Sequence, residues 1–359
     1  MTTEVVPDLD PGKVEEFGGW LFETYSRSVL TLMIDVGHRT GLFEVATQGA
    51  ATSAELAERA GLQERYVREW LGALTTAGVF TYEPSAGTYA LPAEHAVGLA
   101  GAGSTNLAPM SLATALLGNN LDGIVAAFRD GGGVPYETFR PEFTAVMDGM
   151  SRGFFDGQLI DGVLPLTGDL PARLATGIRV ADIGCGTGHA VNLLAAAYPA
   201  STFVGYDLAT DAIEQARQEA ARMDLPNAHF EVHDVAQLTT VPPFDAVFAF
   251  DTIHDQADPA GVLRAVHRVL VDDGTFVVFD TKASSKLENN IGNPLAPFLY
   301  SVSTLHCMTV SLAVGGAGLG TCWGEELARQ LLTEAGFEVL SVSDVPDDPM
   351  DVVFLCKKR

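Results

Sequence analysis

The stretch Ile178-Arg-Val-Ala-Asp-Ile-Gly-Cys-Gly-Thr-Gly188 decides the fold. A largely β-branched, apolar run reaches Asp182 and breaks into a turn with glycines at 184, 186 and 188. A helical pattern, Ala190 to Ala197, follows at once. Glycine is needed where the backbone takes positive φ or where a ligand must approach closely. Such a turn at the head of a helix is expected to offer free N–H groups to a polar or anionic ligand. Strand–helix turns also carry glycines for packing alone, so the meaning of this one depends on what lies downstream.

About 20 residues on, a second strand (Thr202-Phe-Val-Gly-Tyr) ends in Asp207, followed by Leu208; an acidic residue there can accept from both hydroxyls of a ribose. A third strand, His229-Phe-Glu-Val-His, ends in Asp234, placed to meet an adenine amino group. A fourth, Phe244-Asp-Ala-Val-Phe-Ala-Phe, ends in Asp251. Helix patterns separate the strands, which predicts a parallel α/β sheet. In open sheets of this kind ligands bind outside the carboxyl ends of the strands. A single Asp there reads equally as a helix N-cap. Four in register behind a glycine turn read as a nucleoside-binding edge.

These residues resemble the class I S-adenosylmethionine (SAM) methyltransferases, and the similarity runs from about residue 150 to the end. The resemblance implies an α/β fold with a Rossmann-like seven-stranded sheet. It implies SAM as cofactor and S-adenosylhomocysteine as its product. Asp182, Gly184, Cys185, Gly186 and Gly188 would contact the amino-acid end of SAM, Asp207 would hold the ribose, Asp234 and Val235 would flank the adenine, and Leu208 would belong to the same cofactor set. Phe250 and Asp251 would complete the cofactor set. A nicotinamide dehydrogenase fits less well, because the turn reads Gly-Cys-Gly-Thr-Gly rather than Gly-x-Gly-x-x-Gly. The C-terminal end carries the family's finish: a helix from Glu325 to Ala335, Gly336 as its cap, a strand from Phe337 to Val342, and a last strand, Asp351 to Cys356, which the family inserts antiparallel.

The N-terminal half reads as helix over 17–46, with Gly41-Leu-Phe-Glu passing into a loop. A capped helix follows from Ser53, then a helix from Glu64 to Ala77 with Tyr66, Val67, Trp70, Leu71 and Leu74 on one apolar face. Two short strands, Val79–Tyr82 and Thr88–Leu91, complete a winged-helix pattern. The charges of the candidate reading helix, Glu64, Arg65, Arg68 and Glu69, cancel. With 46 acidic against 21 basic residues the chain carries a net charge of −25, which opposes binding to nucleic acid or to anionic membrane. The resemblance instead implies a mainly α winged-helix domain used for homodimerisation. The expected organisation is a winged-helix domain over 1–100, a helical linker and pocket region over 101–165, and a SAM-binding domain over 166–359. Within the last, 283–324 forms a lid insertion.

Cys185, Cys307, Cys322 and Cys356 are scattered, and the first residues lack a basic segment before an apolar run, so a reducing, cytoplasmic setting is expected. Residues 289–324 contain no Asp, Glu, Lys or Arg, but Asn, Pro, His, Ser and Gly interrupt them, unlike a membrane span. A long helix is expected from Phe143 to Leu164, carrying Phe154 and Phe155 either as core or as ligand contacts.

Methyl transfer from a sulfonium is an in-line displacement, for which a protein mainly aligns the nucleophile and excludes water. A hydroxyl acceptor needs a base, and His254, just past the fourth strand, is the candidate, with Asp255 beside it. Plant-type O-methyltransferases carry a His-Asp-Trp motif here; this chain reads His254-Asp255-Gln256 and lacks the Trp. Asp280 occupies the neighbourhood of the acidic residue that orients the family's base, with too loose a match to transfer the role. His306, in the uncharged segment, reads as a contact to a polar acceptor group or as a core histidine. No metal-ligand spacing is evident. The expected activity is methyl transfer to a small, largely apolar acceptor. A SAM-binding transcriptional regulator, and an enzyme of this fold catalysing a non-methyl reaction, are the alternatives.

Overall fold

A computed structural model describes residues 9–101, 105–239 and 242–359. The chain divides between Ala115 and Leu116 into two compact units. In the first, the helix Pro11–Thr40 starts where the Asp10 carboxylate accepts from the Gly12 amide at 2.9 Å and Pro11 fills the first helical position. It stops at Gly41, but the expected loop is replaced by a second short helix, Leu42–Ala46, because Leu42 and Phe43 are drawn into the core. Thr52 and Glu55 cap the helix Ser53–Ala60 reciprocally. The helix Glu64–Thr76 and the antiparallel pair β1 (Thr81–Glu83) and β2 (Thr88–Ala90) complete the winged helix.

Val67, Trp70, Leu71 and Leu74 are buried with Phe43, Leu56 and Phe80, and the Trp70 indole donates to the Met33 carbonyl at 2.8 Å. Tyr66, expected on the same face, is 81% exposed: at 100° per residue it lies a quarter turn from the centre of that stripe. Both arginines of this helix are paired along it, Arg65 with Glu69 at 2.5 Å and Arg68 with Glu64 at 3.4 Å.

The second unit is built on β3 (Arg179–Ile183), β4 (Thr202–Asp207), β5 (Ala228–Val232), β6 (Phe244–Phe250), β7 (Leu270–Thr281), β8 (Phe337–Asp344) and β9 (Asp351–Lys358). Their order is β5-β4-β3-β6-β7-β9-β8, all parallel except β9, which runs antiparallel between β7 and β8. Within β6, Ala246 and Phe248 face one core while Val247 and Ala249 face the other. Both faces are therefore covered, which explains a nearly continuous apolar run where an exposed sheet would alternate. Its one charged residue, Asp245, accepts from the Arg179 amide at 2.9 Å.

The glycine turn leaves β3 with φ of 68°, 53° and 73° at Gly184, Gly186 and Gly188. Its amides are less free than the sequence suggested: those of Gly184 and Cys185 donate to the Tyr206 carbonyl at 2.8 and 3.0 Å, and that of Gly188 to the Cys185 carbonyl. The Gly186 amide donates to Asp207 Oδ2 at 2.9 Å. A side chain at Gly188 would strike Phe230 and Ala216, whereas one at Gly186 would meet open space.

The expected single helix over 143–164 is regular only from Glu142 to Gln158; it widens into a π turn at Leu159–Val163 and tightens into a 3-10 turn at Leu164–Thr167. Pro165 cannot donate the regular helical bond and crowds the turn before it, while the changed winding keeps Leu159, Val163 and Leu164 buried. The 283–324 segment folds as short helices, chiefly Ala296–Val302 and Met308–Ala313 joined by a π turn at Ser303–Cys307. Among the described residues no helix is long and apolar enough to cross a membrane.

Gly188→Ala combines a left-handed backbone with a core collision and should cost about 2–4 kcal/mol in urea unfolding; Gly186→Ala carries the backbone penalty alone, about 1–2 kcal/mol. Equal losses would show that the two glycines are not kept for different reasons.

Candidate active site

The strand ends bring the predicted residues to one edge of the sheet. Asp182 is the penultimate residue of β3 and Asp207 the last of β4, while Asp251 follows β6 directly with φ of 49°. Asp182 is buried and its Oδ1 has no partner; burial and the neighbouring charge of Asp207 hold its pKa well above the usual carboxylate range. Burial also raises Asp207, against the opposing pull of the Ala209 and Gly186 amides that donate to it at 2.7 and 2.9 Å. Leu208 is exposed beside it, and burial pushes the Cys185 thiol well up.

Asp234 lies just past β5, where its two oxygens accept from the Ala236 amide at 3.0 Å and the Gln237 side chain at 2.8 Å. It caps the short turn Val235–Gln237, so the local cap that a lone strand-end Asp suggests is what forms here. Phe154 and Phe155 pack partly buried against the strand ends, 5.2 Å from the rings of Phe279 and Phe250 respectively.

His254 is buried, and its Nδ1 lies 2.8 Å from Asp280 Oδ1. The partner is Asp280 rather than the adjacent Asp255. Asp280 Oδ1 also accepts from the Trp323 indole at 3.1 Å and the Thr281 amide at 2.8 Å. Burial alone would lower the His254 pKa, but the charge and hydrogen bond of Asp280 outweigh it and hold the imidazole well above its ordinary range. The Cys307 thiol lies against the same ring. Burial raises Asp251 to about 7 and Asp255 to about 6.

The sequence shows no metal-ligand spacing, yet folding sets one donor atom each of Asp251, His254 and Asp280 within 4.8 Å of one another. Through Oδ1 the cluster contains a hydrogen-bonded acid–base pair, while the buried Asp280 Oδ2 and Asp251 Oδ1 have no partner. The inserted segment closes on this loop: Gly320 donates to the His254 carbonyl at 3.0 Å, Ala317 to that of Ala257 at 2.9 Å, and the Ser311 hydroxyl to that of Gln256 at 2.9 Å.

His306 is buried in an aromatic cluster, stacked on Phe143 at 3.6 Å and edge-on to Phe139 at 4.8 Å. Its Nε2 has no partner, and burial with the charge of His254 lowers its pKa to about 3, so it stays neutral. Sequence reading placed Asp280 in the neighbourhood of the family's orienting acid but left the role unassigned. For Asp280 the signal was present: it is penultimate in β7 as Asp182 is in β3.

Residues 28–100 match an Rv2258c-like winged HTH domain and residues 174–336 a methyltransferase domain. Trans-aconitate 2-methyltransferase of Methylobacterium nodulans is 37% identical over 112 residues, 31% of this chain and 42% of that protein. An S-adenosyl-L-methionine-dependent Diels-Alderase of Talaromyces variabilis is 26% identical over 188 residues, 50% of this chain and 60% of that one. The chain thus spans about half the length of these two curated relatives. The structure of human N-acetylserotonin methyltransferase with SAM superposes with a TM-score of 0.68 over 99% of both chains at 15% identity, a likeness of fold. The chain therefore joins an N-terminal winged-helix domain to a class I SAM methyltransferase domain.

Proposed function

We propose that this chain transfers a methyl group from SAM to a hydroxyl of a small, largely apolar acceptor, with His254 as general base and Asp280 as the residue that orients it. The buried His254–Asp280 pair at the β6 and β7 strand ends carries this reading. An imidazole with Nδ1 fixed on a carboxylate presents Nε2 in one orientation and is stabilised when it takes a proton. In this reading Asp255 acts through its charge.

The cofactor assignment rests on the methyltransferase domain and on the fit of the residues. The partnerless Oδ1 of buried Asp182 suits a cationic group, the open space beside Gly186 admits a ligand, and Asp207 ends its strand with acceptor capacity left for ribose hydroxyls. When bound, SAM supplies the activated methyl carbon. The chain's own task is to hold that edge dry, orient the acceptor hydroxyl and receive its proton at His254 Nε2.

A second reading, a non-methyl reaction in which SAM is bound but not consumed, is favoured by one observation: a similar protein is a SAM-dependent Diels-Alderase. We also propose homodimerisation through the N-terminal unit. Phe17, Trp20, Phe22, Tyr25 and Val29 of the helix Pro11–Thr40 are all exposed, more apolar surface than one helix ordinarily leaves to water.

Label from methyl-labelled SAM should enter a phenol or catechol within a panel of acceptors and fall about 10²–10⁴-fold with His254→Ala. Turnover without release of S-adenosylhomocysteine would favour the second reading. Because the base must be neutral and Asp280 raises its pKa, kcat/KM should climb with pH through a value above the ordinary imidazole range. Asp280→Asn should move that inflection to lower pH while reducing kcat, and an unmoved inflection would dissociate Asp280 from the base. Trp20→Glu with Phe22→Glu should shift the sedimentation mass from dimer to monomer; an unchanged mass would remove this face from the interface.

A further inference from the structure

Residues 131–140 are the part of the second unit that the reading above leaves without a role. The segment begins with Gly131 and Gly132 at φ of 78° and 74°, with nothing within 4 Å of where either side chain would stand. These two are not glycine for packing; they give the backbone freedom to turn. Gly133 is the opposite case, packed so closely on the Thr309 carbonyl that a side chain would strike it. The next amide, of Val134, donates to Thr309 Oγ1 at 2.9 Å, and the Val134 side chain enters a small core with Ile124, Phe139 and Val310. One end of the segment is thus hinged and then anchored to the inserted helix Met308–Ala313.

The other end is held by charge. Arg140 forms a partly buried ion pair with Asp211, in the first turn of the helix Thr210–Arg222 that follows β4 and Asp207. Its guanidinium also lies 5.5 Å over the Tyr136 ring, whose edge meets His306 at 6.0 Å. Tyr136 is half-buried; burial first, then the charges of Asp207 and Asp255, push its pKa up to about 12, so it remains a neutral hydrogen-bond donor. The charge of Arg140 in turn acts on Asp207. The Tyr136 ring therefore stands between the imidazole of His306 and Arg140, whose ion pair reaches the helix that follows Asp207.

We infer that residues 131–140 form a strap across the cofactor cleft, with Tyr136 as a cofactor-positioning residue and the Arg140–Asp211 pair as the latch that sets how fast the cofactor leaves. The inference rests on the methyl-transfer reading for the location of that cleft. When the pair separates, the segment remains anchored at Val134 by Thr309 while its Arg140 end is released, freeing Tyr136 to move. When it forms, the aromatic ring is fixed between the guanidinium and His306.

The test is the dissociation rate of S-adenosylhomocysteine from the full-length protein, followed by stopped-flow chase with excess SAM. Arg140→Ala and Asp211→Ala should each speed release about tenfold, and the exchanged pair Arg140→Asp with Asp211→Arg should return it toward the wild-type rate. Tyr136→Phe should raise the KM for SAM with little change in kcat and leave the thermal midpoint of the ligand-free protein unchanged. Should Arg140→Ala fail to fold, Arg140→Lys, which keeps the charge but loses the planar fork, carries the same comparison. Wild-type release rates in natively folded latch variants would overturn the strap alone. No measurable binding by the wild type would overturn the strap together with the cofactor assignment beneath it.

Discussion

Three N–H groups converge on a single oxygen of Asp280: the imidazole of His254, the indole of Trp323 and the amide of Thr281. They come from the loop after β6, from the end of the inserted segment and from β7 itself. Each would stand elsewhere without that carboxylate, because a buried donor left unpaired costs more than an ordinary hydrogen bond contributes. Asp280 is fully buried and its Oδ2 has no partner, so the donors gathered on Oδ1 are what hold this side chain in place. The insertion's amide bonds to the carbonyls of His254 and Ala257 then follow the position that this oxygen fixes.

The same edge concentrates acid. Asp182, Asp207, Asp251, Asp255 and Asp351 all have burial as the leading cause of a raised pKa, and most are raised further by one another. Gathering carboxylates this way destabilises the empty fold, and a ligand carrying positive charge relieves it. Asp351 shows how far the arrangement extends. It belongs to β9 and stands opposite Thr281, so the antiparallel strand brings a carboxyl to the back of the site. The acidity of the chain is thus in part local and directed, beyond a general surface charge.

The parallel sheet was legible because β3, β4 and β6 are largely apolar runs with an Asp at or next to their carboxyl ends. The antiparallel finish was legible only through family resemblance, since nothing in Asp351–Cys356 announces its direction. Tyr66 was misplaced because helical periodicity marks the centre of a buried stripe better than its rim. Asp255 was favoured over Asp280 because adjacency in sequence is visible and adjacency between strand ends is not; the pairing depends on β6 and β7 lying side by side. Tyr136 and Arg140 gave no signal at all. Their surroundings come from Asp211 and His306, residues far along the chain that only the folded topology brings near.

The position of β9 has a consequence for how the molecule is made. It follows β8 in sequence but is an inner strand in space, with β7 on one side and β8 on the other. During synthesis β8 emerges before it and has no partner, since its only neighbour in the sheet is β9. The edge of β7 is equally open over that interval, offering unpaired backbone groups next to an apolar core. The growing chain must hold both edges apart until the strand that joins them arrives. The Asp280 end of β7 therefore acquires its final surroundings only once β9 has emerged, and the nascent domain stays both unfinished and adhesive until then.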